Sequence, residues 1–480
     1  MSTATTPDGP TAEVTSPVSE DERPWTYAPS PAGPADGERL TAPPPSLALS
    51  PARQGLHFAA RPMSFAIGAH RRFGDVWTLR MPMRPEGMTI SCHPDHLQSL
   101  LKAKPADAPS LTGESPLRPI LGPDSVLTSV GERHMRQRKL LLPPFHGEAV
   151  QRYVEMISEV AEAEIDRWRP GSEFALAPRM QAVTLEVIMR GIFGMRPGEG
   201  GQMGRMRETI RRLLYMSTTP LYMLLELRNH GAREPKDLLA AMLRVSDHQM
   251  YAVIRARRAQ SGREARTDVL SLLLAARDEE GRPLSDRELR DELMALVLAG
   301  HETTANSLAW IVERLTRTPQ AYDGLRDAVR SGDRGRSAEW IEATIHEGMR
   351  ARPVIPMIVR MVKRPWRFGE HVVGPGTATG ISILGLHHRT DIYPEPAAFR
   401  PQRFLARKPG TYTWIPFGGG IRRCLGASLA MAEQRVMLEA IVRRTELTAP
   451  DPRPEAPRMR NVTMIPSHGC RVRVEARRGV

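Results

Sequence analysis

The chain has little of several features that define whole classes of proteins. Only three cysteines occur in 480 residues, which is too few for a disulfide framework and typical of a reducing compartment, so we expect a cytoplasmic protein. No apolar run approaches the roughly 18 residues that a membrane span needs. The acidic N-terminal segment also lacks the apolar core of a signal peptide. These absences exclude disulfide scaffolds and membrane channels, and we expect no membrane span.

Lysine is scarce as well, because six lysines accompany 61 arginines in a chain of net charge +13. Such a charge suggests an anionic partner, but it is equally typical of a genome that favours arginine codons. No block of five or six consecutive basic residues occurs. Aromatic platforms and recognition motifs for nucleic acid are missing too. We therefore expect no nucleic-acid partner.

Proline, in contrast, is concentrated at the N-terminus, where residues 1–52 contain eleven prolines. Proline removes backbone donors and disfavours helices. The pattern predicts a largely disordered N-terminal arm over residues 1–52. Its first thirty or so residues should be unstructured and the rest laid in extended form over a domain of residues 53–480.

From about residue 147 the apolar residues follow a helical period, and strands are few and short. A hairpin is predicted from residues 73–79 and 87–91. Helices are predicted over residues 150–168, 179–193, 236–260, 267–278, 285–316, 338–350 and 425–445. The pattern predicts a mainly α protein with small β-sheets in a single large domain.

The stretch 286–316 predicts one very long helix, about 45 Å at 1.5 Å per residue, through the middle of the molecule. Its apolar character stops at Ala299. After it come Gly300 and two adjacent threonines, Thr303 and Thr304. Glycine costs about 1 kcal/mol in a helix interior, and threonine side chains can bond back to carbonyls and bend a helix. A buried helix weakened at its centre suggests room for a bound group.

The strongest local signal lies at residues 417–426, where three consecutive glycines are followed by Arg422, Arg423 and Cys424 just before a predicted helix. A thiol at a helix N-terminus beside two arginines should have a lowered pKa and exist as the thiolate. A thiolate is a soft ligand for iron. The alternative is a buried structural cysteine.

The two other cysteines carry no such signal. Cys92 and Cys470 are predicted to be buried or half-buried without a function. The sequence contains no Cys-x-x-Cys pair, so a structural zinc site is not predicted.

Residues 417–426 resemble the haem-binding loop of the cytochrome P450 family, with Phe417, Gly420, Cys424 and Gly426 at the family's spacing. The resemblance covers roughly residues 55–480. It implies the cytochrome P450 fold, with haem b (iron protoporphyrin IX) between the long central helix and the helix after the cysteine. Phe417 and Gly426 would border the haem, and Cys424 would ligate its iron.

Residues 299–304 resemble the family's oxygen-binding stretch. The resemblance implies that Ala299 and Gly300 let the helix lie against the haem. It makes Glu302 and Thr303 an acid–alcohol pair that delivers protons during oxygen activation, with Glu302 linking the site to solvent. The alternative is a helix kink packed in the core.

Two more segments resemble family motifs. Glu347 and Arg350, spaced i, i+3 on one helix face, correspond to a Glu–Arg pair that braces the thiolate side of the core. Residues 399–404 resemble the segment whose arginine, here Arg403, joins that brace. Gln402 stands where the family commonly has Glu.

The haem propionates need cations. The resemblance assigns the binding of the propionates to His134, Arg138, Arg360 and Arg422. His134 stands where many members have Trp. It also implies a basic docking face on the thiolate side. That face would consist of Arg133, Arg136, Lys139 and Arg423.

The resemblance implies a haem-thiolate monooxygenase that hydroxylates a largely apolar small molecule in secondary metabolism. Its electrons would come from a ferredoxin and an NAD(P)H-dependent ferredoxin reductase. An oxidative coupling or cyclisation enzyme, or a non-catalytic haem-binding protein, is the alternative.

Segments 106–126 and 213–225 would form the lid. The pocket would be lined by Ala295, Leu298, Ala299, Thr303, Val354, Ile355, Met357, Ile358, Met464 and Ile465.

Overall fold

The computed structural model describes residues 25–111, 117–216, 219, 225, 228–229, 232, 234–262 and 265–479. The first 24 residues of the predicted arm therefore lie outside the described residues. From Trp25 onward the arm lies against the domain. The Trp25 ring packs 4.9 Å from Tyr393 and 5.7 Å from Phe404, measured between ring centroids.

Helices make up most of the described chain, and the predicted helical stretches are confirmed to within a few residues at their ends. In chain order they are α1 Pro51–Ala60, α2 Pro62–Phe73, α3 Pro94–Lys102, α4 Arg118–Leu121, α5 Gly131–Leu141, α6 Glu148–Ile165, α7 Leu176–Phe193, α8 Gly201–Met216, α9 Asp237–Ala259, α10 Val269–Ala275, α11 Asp286–Thr316, α12 Pro319–Arg330, α13 Arg334–Ala351, α14 Ile383–Leu386, α15 Gln402–Leu405 and α16 Ala427–Arg444. Short 3-10 turns occur at Pro143–Phe145 and Gly420–Arg422.

The strands are short and form small sheets at the edges of the helical core. They are β1 Ala32–Pro34, β2 Val76–Met81, β3 Arg84–Ser91, β4 Glu173–Ala175, β5 Met357–Met361, β6 Trp366–Phe368, β7 His371–Val373, β8 Ala378–Ser382, β9 Thr445–Thr448, β10 Pro457–Arg460, β11 Thr463–Pro466 and β12 Arg471–Arg477. The sheets have the orders β2-β3-β8-β5, β1-β6-β7, β4-β12-β9 and β10-β11. The predicted hairpin is β2–β3, paired antiparallel.

Helix α11 is the central element, and its predicted length is confirmed. Ser285 caps its N-terminus in a capping box with Glu288, which satisfies two otherwise unpaired backbone donors. Every residue from Thr304 to Val312 is buried. Buried side chains of α6, α7, α9 and α16 pack around it in two large apolar clusters. Within the described part of the chain, no helix combines the length and apolarity that crossing a bilayer requires.

Candidate functional site

The cysteine loop owes its shape to glycine. Gly418 and Gly420 have positive φ angles of 64° and 59°, which side-chain-bearing residues rarely adopt. A Cβ atom on Gly420 would lie 2.6 Å from the carbonyl oxygen of Leu101. The Cys424 amide closes the loop by donating to the Phe417 carbonyl at 3.0 Å. The loop therefore presents Cys424 three residues before the first residue of α16.

The Cys424 side chain is accessible to solvent, although protein surrounds it closely enough that burial raises the pKa of its thiol. An accessible group enclosed in this way lines a cavity. The expected lowering of the Cys424 pKa is therefore wrong for the protein alone. The Gly426 amide, Arg138 and Arg423 do lower it, but desolvation is the larger effect. Ligation of a metal ion removes a thiol proton outright, so Cys424 would be a thiolate if it ligated iron.

The centre of α11 also keeps accessible surface, from which we infer that it borders the same cavity. Ala299 is exposed and Gly300 and Thr303 are half-buried, whereas Val297 and Thr304 on either side are buried. The Thr303 hydroxyl donates to the Ala299 carbonyl at 2.7 Å, as threonines in weakened helices do. The exposed face of the helix thus carries Ala299 and Thr303.

Gly300 has a packing role in addition to the one expected. A Cβ atom there would lie 3.2 Å from Cδ1 of Ile188 on α7. Gly300 therefore lets α7 approach α11 closely at the level of the cavity.

Helix α11 contacts both the residue that follows the cysteine and helix α16. Leu425, next to the cysteine, packs against the apolar cluster that includes Leu293 and Val297 of α11. Further along, the Ser307 hydroxyl donates to Oε1 of Gln434 on α16 at 2.7 Å. The cysteine loop and the weakened centre of α11 are therefore held at fixed positions relative to each other.

The four residues assigned to the propionates come together. His134, Arg360 and Arg422 line one small cleft, and Arg138 lies near both Arg422 and Cys424. Burial, then the charges of Arg422, Arg138 and Arg360, lowers the pKa of His134 to about 4. His134 is therefore a neutral hydrogen-bonding group at neutral pH.

The three guanidinium groups of this set, those of Arg138, Arg360 and Arg422, differ from most other arginines in their ion pairing. Among the described residues, no carboxylate lies within 4.0 Å of the buried Arg360 or of the half-buried Arg138 and Arg422, whereas buried arginines such as Arg257 and Arg290 are paired. Buried charges without partners are costly. The cleft therefore fits an anionic group supplied from outside the chain. Together with the accessible thiol and the exposed face of α11, it fits haem, whose propionates carry negative charge.

The predicted brace is present and fully buried. Arg350 donates from Nε and Nη2 to both oxygens of Glu347, at 2.7 and 2.9 Å, and neither side chain has exposed surface. Arg403 donates from Nε to Oε1 of Glu347 at 3.3 Å. Arg350 also bonds the carbonyls of His387 and Ala398, so the brace ties α13 to the chain leading into the cysteine loop.

The surroundings of Glu302 differ from the expectation of a link to solvent. Its carboxylate forms an ion pair with Arg460 at the end of β10 and accepts a hydrogen bond from the Thr463 hydroxyl at 3.2 Å. Sequence reasoning missed both partners. They lie some 160 positions further along the chain, and no motif marks them.

Glu292 of α11 is a third residue that the sequence did not reveal. Its fully buried carboxylate accepts hydrogen bonds from the Val126 amide, and the Val126 carbonyl accepts one from Arg422. Burial raises the pKa of Glu292 well above its usual range. Glu292 thereby positions the loop that contacts Arg422, one of the arginines that the resemblance assigns to the propionates.

The expected pocket lining is only partly correct. Leu298, Ile355, Met357 and Ile358 keep some accessible surface. Ala295 and Met464, in contrast, are fully buried. They therefore form part of the core behind the cavity wall. Val354 and Ile465 are also buried.

The expected lid segments lie partly outside the described residues, at 112–116 and at 217–218 and 220–224.

Most cations of the expected docking face are paired with carboxylates, so the face carries less net positive charge than its sequence indicates. Arg136 is held between Asp278 and Glu288, at 2.7 and 2.9 Å. Arg133 pairs with Asp124, and Lys139 with Glu279. Ion pairing neutralises these three cations. Arg423 is exposed and, within the described chain, has no carboxylate within 4.0 Å.

Comparison with known proteins identifies the class to which this fold and site belong. The family model described as "Cytochrome P450" matches residues 43–472. Cytochrome P450 135A1 of Mycobacterium tuberculosis is 35% identical over 413 residues, which are 85% of this chain and 90% of that protein. Cytochrome P450 135B1 of Mycobacterium bovis is 34% identical over 446 residues, 91% of this chain and 92% of that protein.

Solved structures share the fold. A cyanobacterial cytochrome P450 with bound retinoic acid superposes with a TM-score of 0.75 at 21% identity, covering 91% of this chain and 100% of that chain. The haem domain of another cytochrome P450 gives a TM-score of 0.73 at 24% identity, covering 92% and 99%. The predicted mainly α, single-domain fold is confirmed. The class is that of the haem-thiolate monooxygenases, and this chain belongs to the cytochrome P450 family.

Proposed function

We propose that this cytochrome P450 binds haem b through Cys424 and hydroxylates a largely apolar small molecule of secondary metabolism. The observation that carries the proposal is the combination of an accessible, enclosed thiol with three guanidinium groups that have no carboxylate partner among the described residues. Haem supplies, when bound, the iron at which dioxygen is activated.

The cofactor is held by residues from three separate parts of the chain. The Cys424 sulfur is the protein ligand of the iron, between Phe417 and Gly426 of the loop. His134 and Arg138 come from α5. Arg360 comes from β5 and Arg422 from the 3-10 turn before the cysteine, and these side chains bind the propionates. Their guanidinium groups favour anionic oxygen through charge-assisted hydrogen bonds.

Proton delivery is assigned to the acid–alcohol pair. The Thr303 hydroxyl donates to the Ala299 carbonyl, which leaves the lone pairs of its oxygen directed away from that bond and able to accept a hydrogen bond. The Glu302 carboxylate is the nearest acidic group along the helix. Because Arg460 holds that carboxylate in an ion pair, this pair must loosen for Glu302 to carry a proton toward Thr303.

An apolar substrate follows from the accessible wall residues. Leu298, Ile355, Met357 and Ile358 carry no charge, and burying an unpaired ion against them would cost several kcal/mol. A terpene, polyketide or fatty acyl compound fits this lining. An amino acid attached to a carrier protein is the second choice.

We assign the supply of electrons to a ferredoxin and its NAD(P)H-dependent reductase. The exposed Arg423 next to the cysteine is the best placed cation for an acidic partner. Reduction by a ferredoxin should slow as salt rises, because exposed charges are screened beyond about 8 Å at physiological ionic strength. Arg423→Glu should slow it further, and an unchanged rate would contradict this docking position.

A binding screen tests the substrate assignment. Apolar compounds that enter the cavity should displace water from the ferric iron and shift the haem absorption band to shorter wavelength. Terpene, polyketide and fatty acyl compounds should be compared with small dicarboxylates of similar length. Tight, productive binding of a small free dianion would refute the assignment.

A further inference from the structure

Three side chains with metal-ligating atoms converge at the N-terminal sheet, apart from the haem site. His70 lies in the last turn of α2, Asp75 in the connection to β2, and Cys92 directly after β3. Their ligand atoms all lie within 4.8 Å of one another, and no other such trio occurs in the described part of the chain.

The distances suit a single small ion. Cys92 Sγ lies 3.1 Å from His70 Nδ1 and 3.7 Å from Asp75 Oδ1, and His70 Nδ1 lies 3.5 Å from Asp75 Oδ1. Around a tetrahedral zinc ion, bond lengths of about 2.0 Å to nitrogen and oxygen and about 2.3 Å to sulfur separate neighbouring ligands by about 3.3–3.5 Å. The three atoms thus need to move by only a few tenths of an ångström to occupy three corners of one tetrahedron.

The donor set and the surroundings favour zinc. Thiolate, imidazole and carboxylate are the three side-chain groups that zinc takes in proteins. Arg389 contacts the Asp75 carboxylate and also pairs with Asp391 at 2.7 Å, so it can fix the carboxylate as outer-shell partners of metal ligands do.

The charges of such a site would balance. With zinc bound and the thiol deprotonated, the two positive charges of the ion and that of Arg389 equal the three negative charges of Cys92, Asp75 and Asp391. Without the ion and with the Cys92 thiol protonated, the same group carries one more negative than positive charge. A bound divalent cation is therefore compatible with the nearby arginine.

The site is also reachable. The side chains of His70 and Asp75 are 23% and 30% exposed, whereas Cys92 is fully buried behind them. The carbonyl oxygen of Gly74 lies 3.2 Å from His70 Nδ1, so a fourth position can be filled by that oxygen or by water. We propose that His70, Asp75 and Cys92 bind one zinc ion that joins α2 to the ends of β2 and β3.

Metal content tests this site independently of catalysis. The full-length, haem-loaded protein without a histidine tag should be dialysed against zinc chloride and then against zinc-free buffer. We expect one equivalent of zinc to remain per chain and the unfolding temperature to rise with zinc. The haem occupies Cys424, so that thiol does not compete. His70→Ala and Cys92→Ser should each lose the retained zinc and the temperature shift.

Matched variants identify non-specific binding. Cys470→Ser removes another fully buried cysteine, and His146→Ala removes an exposed histidine. Both should retain zinc as the parent protein does. If Cys92→Ser does not fold, His70→Ala decides the question, because its partly exposed side chain can be removed with less loss of packing. Failure of the parent protein to retain zinc, or equal retention in His70→Ala, would overturn the proposal and leave a hydrogen-bonded cluster only.

Discussion

The two sides of the proposed haem cavity are built differently. On the thiolate side, the Glu347–Arg350 pair has no exposed surface and is joined by Arg403 and by backbone carbonyls. On the oxygen side, at the centre of α11, Glu302 and Arg460 are 24% and 21% exposed. A buried ion pair keeps one geometry because separating it costs several kcal/mol, whereas a hydrated pair separates cheaply. The proposed iron ligand would need the first property, and the proposed proton delivery would need the second.

The largest effect should come from the ligand itself. Cys424→Ala should abolish the red-shifted carbon monoxide band of the reduced protein, because that band reports a thiolate ligand on the iron. Cys470→Ala, at a buried cysteine outside the cavity, should keep the band. Persistence of the band in Cys424→Ala would show that another residue ligates the iron.

Breaking the brace should cost stability. Glu347→Gln leaves Arg350 and Arg403 buried without a compensating charge, and we expect a loss of about 3–5 kcal/mol in the free energy of unfolding. Glu342→Gln on the same helix breaks a half-exposed pair with Arg435 and should cost at most about 1 kcal/mol. Denaturant unfolding measures both. Equal losses would mean that burial does not distinguish the two ion pairs.

On the oxygen side, catalysis should suffer more than stability. Thr303→Ala should retain haem and still consume NAD(P)H, but the product formed per NAD(P)H should fall at least about 10-fold, with hydrogen peroxide released instead. Thr304→Ala should be much milder, because Thr304 points about 100° further round the helix and is buried. Unchanged coupling in Thr303→Ala would assign proton delivery to Thr304 or to a substrate hydroxyl.

The last effect depends on pH and concerns Glu433, a buried acid on α16. One of its oxygens has no hydrogen-bond partner in the described structure, and burial raises its pKa to about 8. Below about pH 4, Glu433 is protonated in both the folded and unfolded states. As the pH rises to 8, the unfolded state loses this proton first. The stability of the parent protein should therefore fall by a few kcal/mol, relative to Glu433→Gln, between pH 5 and pH 8.

Denaturant unfolding at several pH values measures this difference. Glu439→Gln, at a half-exposed position of the same helix, serves as the control and should follow the parent protein. A constant difference between Glu433→Gln and the parent protein across this range would show that Glu433 is not protonated in the folded state.

Much of this architecture was determined by the sequence alone. The uninterrupted helical pattern of residues 286–316 predicted α11, because proline-free amphipathic or buried stretches have few other stable conformations. The glycines and the cysteine of residues 417–426 predicted the loop, since its positive φ angles require glycine at 418 and 420. Glu347 and Arg350 could be paired from their spacing because one helix turn brings them together.

The rest required the tertiary structure, because it depends on residues that are distant in sequence. Arg460 and Glu302 meet only when the β10–β11 hairpin packs on α11, and Glu292 reaches Arg422 only through the loop at Val126. The raised pKa of Cys424 reflects its enclosure, which no local motif reports. In the same way, the sequence predicted no zinc site around Cys92, since its proposed co-ligands come from a helix end and a turn rather than from a neighbouring cysteine. Local chemistry fixes which groups are available, and the fold decides which of them come within bonding distance.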